Sequence, residues 1–138
     1  MKFKFLEHTA DIKFQAFGNN IKEVFENSAL ALKKTICKLK IQEKQEKKIK
    51  AKGKDFESLL YDFLEEFLYL LDAEDFLLAK IKKIEISKSG GHMILNAIVV
   101  GDKASNYDFT NQVKAITYSD MFVKKQKDKY TAQVVLDV

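Results

Sequence analysis

The chain has 138 residues, 46% of them apolar and 32% charged, which fits one folded domain over 1–138 and excludes a chain that is disordered as a whole. Its single cysteine, Cys37, rules out an internal disulfide and points to a reducing compartment. All 24 basic residues are lysine and the net charge is +4, so any nucleic-acid contact lacks the planar arginine fork and keeps only salt-sensitive attraction to phosphate.

Residues 2–6 and 12–17 alternate apolar with polar and predict two strands, the second closed by Gly18. Between them lies the polar junction Glu7-His8-Thr9-Ala10-Asp11. Asn20 with Glu23 has capping-box spacing and starts a helix to about Lys38, with Ile21, Val24, Phe25, Ala29 and Leu32 on one stripe. Lys33, Lys34 and Lys38 sit in its last turns, where cations suit the helix dipole.

A short lysine-rich strand follows at 45–52. Gly53 and Asp55 then open the strongest element, a helix with Phe56, Leu59, Leu60, Phe63, Leu64, Phe67, Leu70 and Leu71 on a wide apolar face. It ends near 72–74. Residues 77–87 and 92–100 predict a hairpin turning at Ser89-Gly90-Gly91. Further strands are expected at 112–118, 121–126 and 130–137, with a turn at 126–129. The predicted class is α+β, with two helices packed on a largely antiparallel or mixed sheet.

Charge is arranged in blocks. Residues 33–54 hold ten Lys against Glu43 and Glu46, whereas residues 55–76 hold eight acids and no Lys. These blocks read as solvated faces of a strand and a helix, or as intramolecular pairing, or as separate binding faces. The N-terminus lacks the apolar run of a signal peptide, and the most apolar stretch, near Phe63 to Leu71, is broken by Glu65 and Glu66. A soluble cytoplasmic protein without a membrane partner is the expectation.

No phosphate-binding glycine loop and no zinc spacing are present. Cys37 reads as a small buried residue rather than the partner of His8 in a nucleophile pair. The sharper constellation is acidic. Asp11 lies at a tight junction, Asp137 is penultimate, and Val138 carries the terminal carboxylate. If brought together they form a hard oxygen site for Ca²⁺ or Mg²⁺. The alternative is an Asx-turn at Asp11 and an ordinary chain end.

Five separated segments resemble the archease family. They are Phe5-Leu6-Glu7-His8-Thr9-Ala10-Asp11-Ile12, the first helix around Phe25 to Leu32, and the second around Leu59 to Leu70. The other two are Val113-Lys114-Ala115-Ile116-Thr117-Tyr118-Ser119-Asp120-Met121 and Leu136-Asp137-Val138. The resemblance covers nearly the whole chain in order.

It implies a non-enzymatic activator of an RtcB-type RNA ligase in tRNA splicing, which promotes ligase guanylylation and multiple turnover. It implies a divalent-cation site at Asp11, Asp137 and Val138, with Ca²⁺ expected and Mg²⁺ or Mn²⁺ as substitutes. Lys114 matches a functional lysine of the family. His8 and Asp120 are candidates for hydrogen-bonding the cation's ligands. Ser119 stands where many members have His, and Phe63 where Trp is common. The ligase is the expected partner, with tRNA contact indirect or weak. An RNA-binding, chaperone-like module working through the lysine-rich surface is the alternative.

Overall fold

The expected single sheet is two sheets. In the computed structural model, which describes residues 1–7 and 11–138, strands β1 (Phe3–Leu6), β2 (Ile12–Gly18), β7 (Lys129–Asp137) and β6 (Ala115–Gln126) pair in the order β1-β2-β7-β6. Strands β3 (Gln45–Gly53), β5 (His92–Lys103) and β4 (Phe76–Ser89) form the second sheet, β3-β5-β4. Every described strand pair is antiparallel, so the α+β class stands and the mixed-sheet option does not.

Helices α1 (Ile21–Ile36) and α2 (Phe56–Glu74) each touch both sheets: α1 packs on β2 and β4, α2 on β3 and β6. Phe14 from β2, Phe25 from α1, Phe63 from α2 and Phe76 from β4 are fully buried where these layers meet. Each such ring contributes roughly 2–3 kcal/mol by leaving water. Phe63 lies between Phe25, 5.9 Å away, and Phe67, 5.0 Å away and edge-on, so the position is core.

Both helices start where the sequence places them. The Asn20 side chain accepts the Glu23 N–H at 3.0 Å. At α2 the box is reciprocal: the Ser58 N–H donates to Asp55 Oδ1 at 2.8 Å, and the Asp55 N–H donates to Ser58 Oγ at 3.2 Å. Hydrogen bonding from the Ser58 backbone and side chain holds the Asp55 carboxyl below the usual carboxylate range. Helix α1 ends at Ile36 instead of Lys38, because Cys37 turns extended and gives its N–H to the Lys33 carbonyl at 2.8 Å. Helix α2 ends on Asp75, whose left-handed backbone (φ 51°) turns the chain straight into β4.

Two expected strands merge into one. Residues 112–114 lie outside any strand, and β6 runs through 118–121 with its register broken between Thr117 and Phe122. The break is a bulge, with Asp120 at φ 53°. Alternation reads such a stretch as two strands because the extra residues reset the period of two. No described helix is long and apolar enough to cross a membrane.

Candidate functional site

The candidate residues gather where three strands of the first sheet end together. The last pair of β2 and β7 is Ile12 with Leu136, and Asp11 and Asp137 are the next residues along the chain at that sheet end. On the other flank, Ala115 of β6 pairs with Asp137. The Lys114 N–H donates to the Asp137 carbonyl at 2.7 Å, and the same register sets Lys114 opposite Val138. Antiparallel pairing thus brings together residues more than a hundred positions apart. Lys114 is exposed, while Asp11, Asp137 and Val138 are half-buried. His8 lies outside the described residues.

Asp120 is not brought to this end. It sits in the β6 bulge at the level of Gln133, four residues or roughly 13 Å along the strand from Asp137. There it faces Lys13 at 3.5 Å, and its carbonyl accepts from the Gln133 amide at 2.8 Å.

Beside the strand ends opens a cavity of about 810 Å³, lined by Phe5, Leu6, Glu7, Asp11, Ile12, Lys34, Thr35, Lys38 and Asn111. Its rim is fixed by bonds between the end of α1 and the 107–114 loop. The Asn111 amide donates to the Thr35 carbonyl at 2.9 Å, the Thr110 N–H to the Ile36 carbonyl at 2.7 Å, and the Cys37 thiol to the Asp108 carbonyl at 3.3 Å. Cys37 is fully buried, as its sequence context suggests.

Lys34 and Lys38 were legible only as dipole partners at a helix end. Packing gives them a second setting, on the wall of a cavity that also holds Asp11. Asn111 had no signal in the sequence, because a loop amide becomes a lining residue only through its tertiary bond.

The donor chemistry can be tested against a cation. Two carboxylate side chains and a terminal carboxylate form an all-oxygen set, suited to a hard divalent ion. Among the described residues no group of three His, Cys, Asp or Glu side chains comes together to hold a metal. Among the described residues, Asp11, Asp137 and the Val138 carboxylate would be the oxygens offered to such an ion.

The lysine block divides between structural and free roles. Lys47 pairs with Glu74 of the acidic block at 2.7 Å. Glu43 and Glu46 pair outward with Lys80 and Lys82 of β4 at 3.4 and 3.2 Å. The Lys33 ammonium reaches the Leu39 carbonyl, and burial lowers its pKa. Lys48, Lys50 and Lys52 stand exposed along one side of β3.

Comparison with known proteins covers nearly the whole chain and bears on its family and fold. The model of the Archease protein family matches residues 3–138. Protein archease of Pyrococcus furiosus is 41% identical over 136 residues, covering 96% of this chain and 95% of that protein. Protein archease of Methanosarcina acetivorans is 38% identical over 140 residues, covering 99% and 96%. The solution structure of Methanobacterium thermoautotrophicum protein 1598 superposes with a TM-score of 0.83 at 30% identity, covering 99% of both chains. The crystal structure of a Thermotoga maritima archease, described as a possible chaperone, has a TM-score of 0.63 at 19% identity over 98% and 96%, and shares the fold.

Proposed function

The chain belongs to the archease family, and on that premise we propose that it activates an RtcB-type RNA ligase in tRNA splicing without itself being a ligase. The observation that supports this reading most is the convergence of Asp11, Asp137 and Lys114 at one sheet end beside an open, lysine-walled cavity. In this reading the protein promotes guanylylation of the ligase and its release for further turnovers.

Asp11, Asp137 and the Val138 carboxylate would hold the divalent cation, Ca²⁺ first and Mg²⁺ or Mn²⁺ as substitutes. A bound cation supplies positive charge for an oxygen of the partner. The chain's own residues do the remaining work. The β2–β7 register aligns the two aspartates, and the Lys114 backbone bond fixes the chain end. The Lys114 ammonium, exposed beside that end, offers a positive contact to phosphate or carboxylate on the partner.

The test is ligation by the cognate ligase with substoichiometric protein added. Accelerated multiple turnover is expected, and unchanged rates would remove the proposal. The exposed lysines of β3 support the RNA-binding alternative. Salt-sensitive tRNA binding by the isolated protein, with ligation unaffected, would favour that reading.

A further inference from the structure

The β6 bulge has a product of its own. The break between Thr117 and Phe122 turns Tyr118 out of the ladder and lays it on Tyr61 of α2, rings parallel within 5° and centroids 4.1 Å apart. Tyr118 remains 55% exposed, so one face is covered by Tyr61 and the other is open. The bulge is pinned on all sides. The Thr117 hydroxyl donates to the Val135 carbonyl at 2.9 Å, and the Ser119 N–H donates to Thr117 Oγ1 at 3.3 Å. Gln133 and Lys13 hold Asp120.

With Tyr61 stacked on one side, the exposed side of Tyr118 presents the negative face of an aromatic ring. A cation on that open face is attracted by the ring quadrupole. The surrounding charge favours a cation too. Besides burial and Tyr61, the groups that raise the Tyr118 phenol pKa most are the carboxylates of Asp55, Glu65 and Asp62. The carboxylates also crowd one another: after burial, Asp62 raises the pKa of Glu65, and Asp62 with Glu65 that of Glu66.

A groove of about 460 Å³ runs past this stack, lined also by Lys52, Lys54 and His92. It shares no lining residue with the cavity at the chain end. Both of its acids serve the backbone. Asp62 accepts the Lys52 N–H at 2.9 Å, and Asp55 caps α2. Glu65 is exposed.

We propose that the Tyr61–Tyr118 stack, framed by Asp55, Asp62 and Glu65, is a docking platform for an arginine on a basic segment of a protein partner. A guanidinium is planar, weakly hydrated and stacks on aromatic faces while its edge donates to carboxylates, so it suits this platform better than an ammonium. This chain contains no arginine, so the occupant comes from another protein. The carboxylates that act on Tyr118 disfavour a phosphodiester strand stacking its bases there, and Lys52 and Lys54 on the groove wall make that strand the competing occupant to test.

The test is titration of the intact, isotope-labelled protein at low salt with a short Arg-Gly peptide, its Lys-Gly counterpart and single-stranded oligouridine. It needs no ligase, so its outcome is independent of the activator reading. The Arg-Gly peptide is expected to shift the signals of Tyr61, Tyr118 and Glu65, and to bind more tightly than the Lys-Gly peptide. Tyr118→Ala should weaken that binding about tenfold. Glu65→Lys, an exposed change that leaves the aromatic stack in place, should also weaken it. Absence of shifts, indifference to both substitutions, or tighter binding of oligouridine at the same residues would overturn the proposal.

Discussion

The two sheets divide the labour of the molecule unevenly. The three-stranded sheet pairs β3 with β5 over nine consecutive residue pairs without a break, while β4 slips twice against β5, between Leu78 and Lys80 and between Ile81 and Lys83, and Gly101 lets β4 close tightly. The four-stranded sheet ends three strands at one level, breaks β6 with a bulge, and carries Asp11, Asp137, Lys114 and Tyr118. Where β3 and β5 pair regularly, side chains fall on two uniform faces. Terminated and interrupted pairing aims single residues outside the ladder, and that is where candidate chemistry collects.

This contrast can be broken at its strongest point first. An added Cβ at Gly101 would lie 2.0 Å from the Leu77 carbonyl oxygen, so Gly101→Ala must shift backbone. A loss of roughly 3 kcal/mol or failure to fold is expected, read from urea unfolding. Phe63→Ala, a fully buried ring between two others, should cost about 3–5 kcal/mol. In both variants, ligase stimulation should fall only with the folded fraction.

The four-stranded sheet should answer in the opposite sense. Asp11→Ala and Asp137→Ala should each weaken divalent-cation binding by calorimetry and abolish ligase stimulation, with thermal stability in the absence of the ion nearly unchanged. Lys114→Ala should reduce stimulation at least about tenfold, while stability stays within about 0.5 kcal/mol, as for other surface changes. Normal stimulation by all three would dissolve the contrast between the sheets.

Smaller effects sharpen it. Asp55→Ala removes the α2 cap and should cost about 1 kcal/mol. Because hydrogen bonds lower the Asp55 pKa in the folded state, its contribution is present above the ordinary Asp value. It is lost as pH falls through the lowered folded value, so wild type and Asp55→Ala should converge in acid unfolding. Lys47→Ala breaks a partly exposed pair with Glu74 and should change stability by less than about 1 kcal/mol.

Much of the fold was legible because it is local. Both N-caps, the apolar stripes of α1 and α2, and the Gly90-Gly91 hairpin depend on residues within a few positions of each other. In the hairpin both glycines have positive φ, 56° and 81°, as its turn requires. The site was legible only through the resemblance. Bare spacing left an Asx-turn and a plain chain end standing as an alternative to a carboxylate pair.

By itself the sequence determined the class, the capped helices, the buried faces and the identity of the chain's few chemically distinct residues. Tertiary structure alone decided that the strands part into two sheets, that Asp11 and Asp137 lie at the same sheet end while Asp120 lies along the strand, and that Lys34 and Lys38 wall a cavity. It also decided that Tyr118 leaves its strand to stack on Tyr61. The physical reason is register: a strand's alternation tells which residues share a face, while partner and offset are set by packing between elements far apart in the chain.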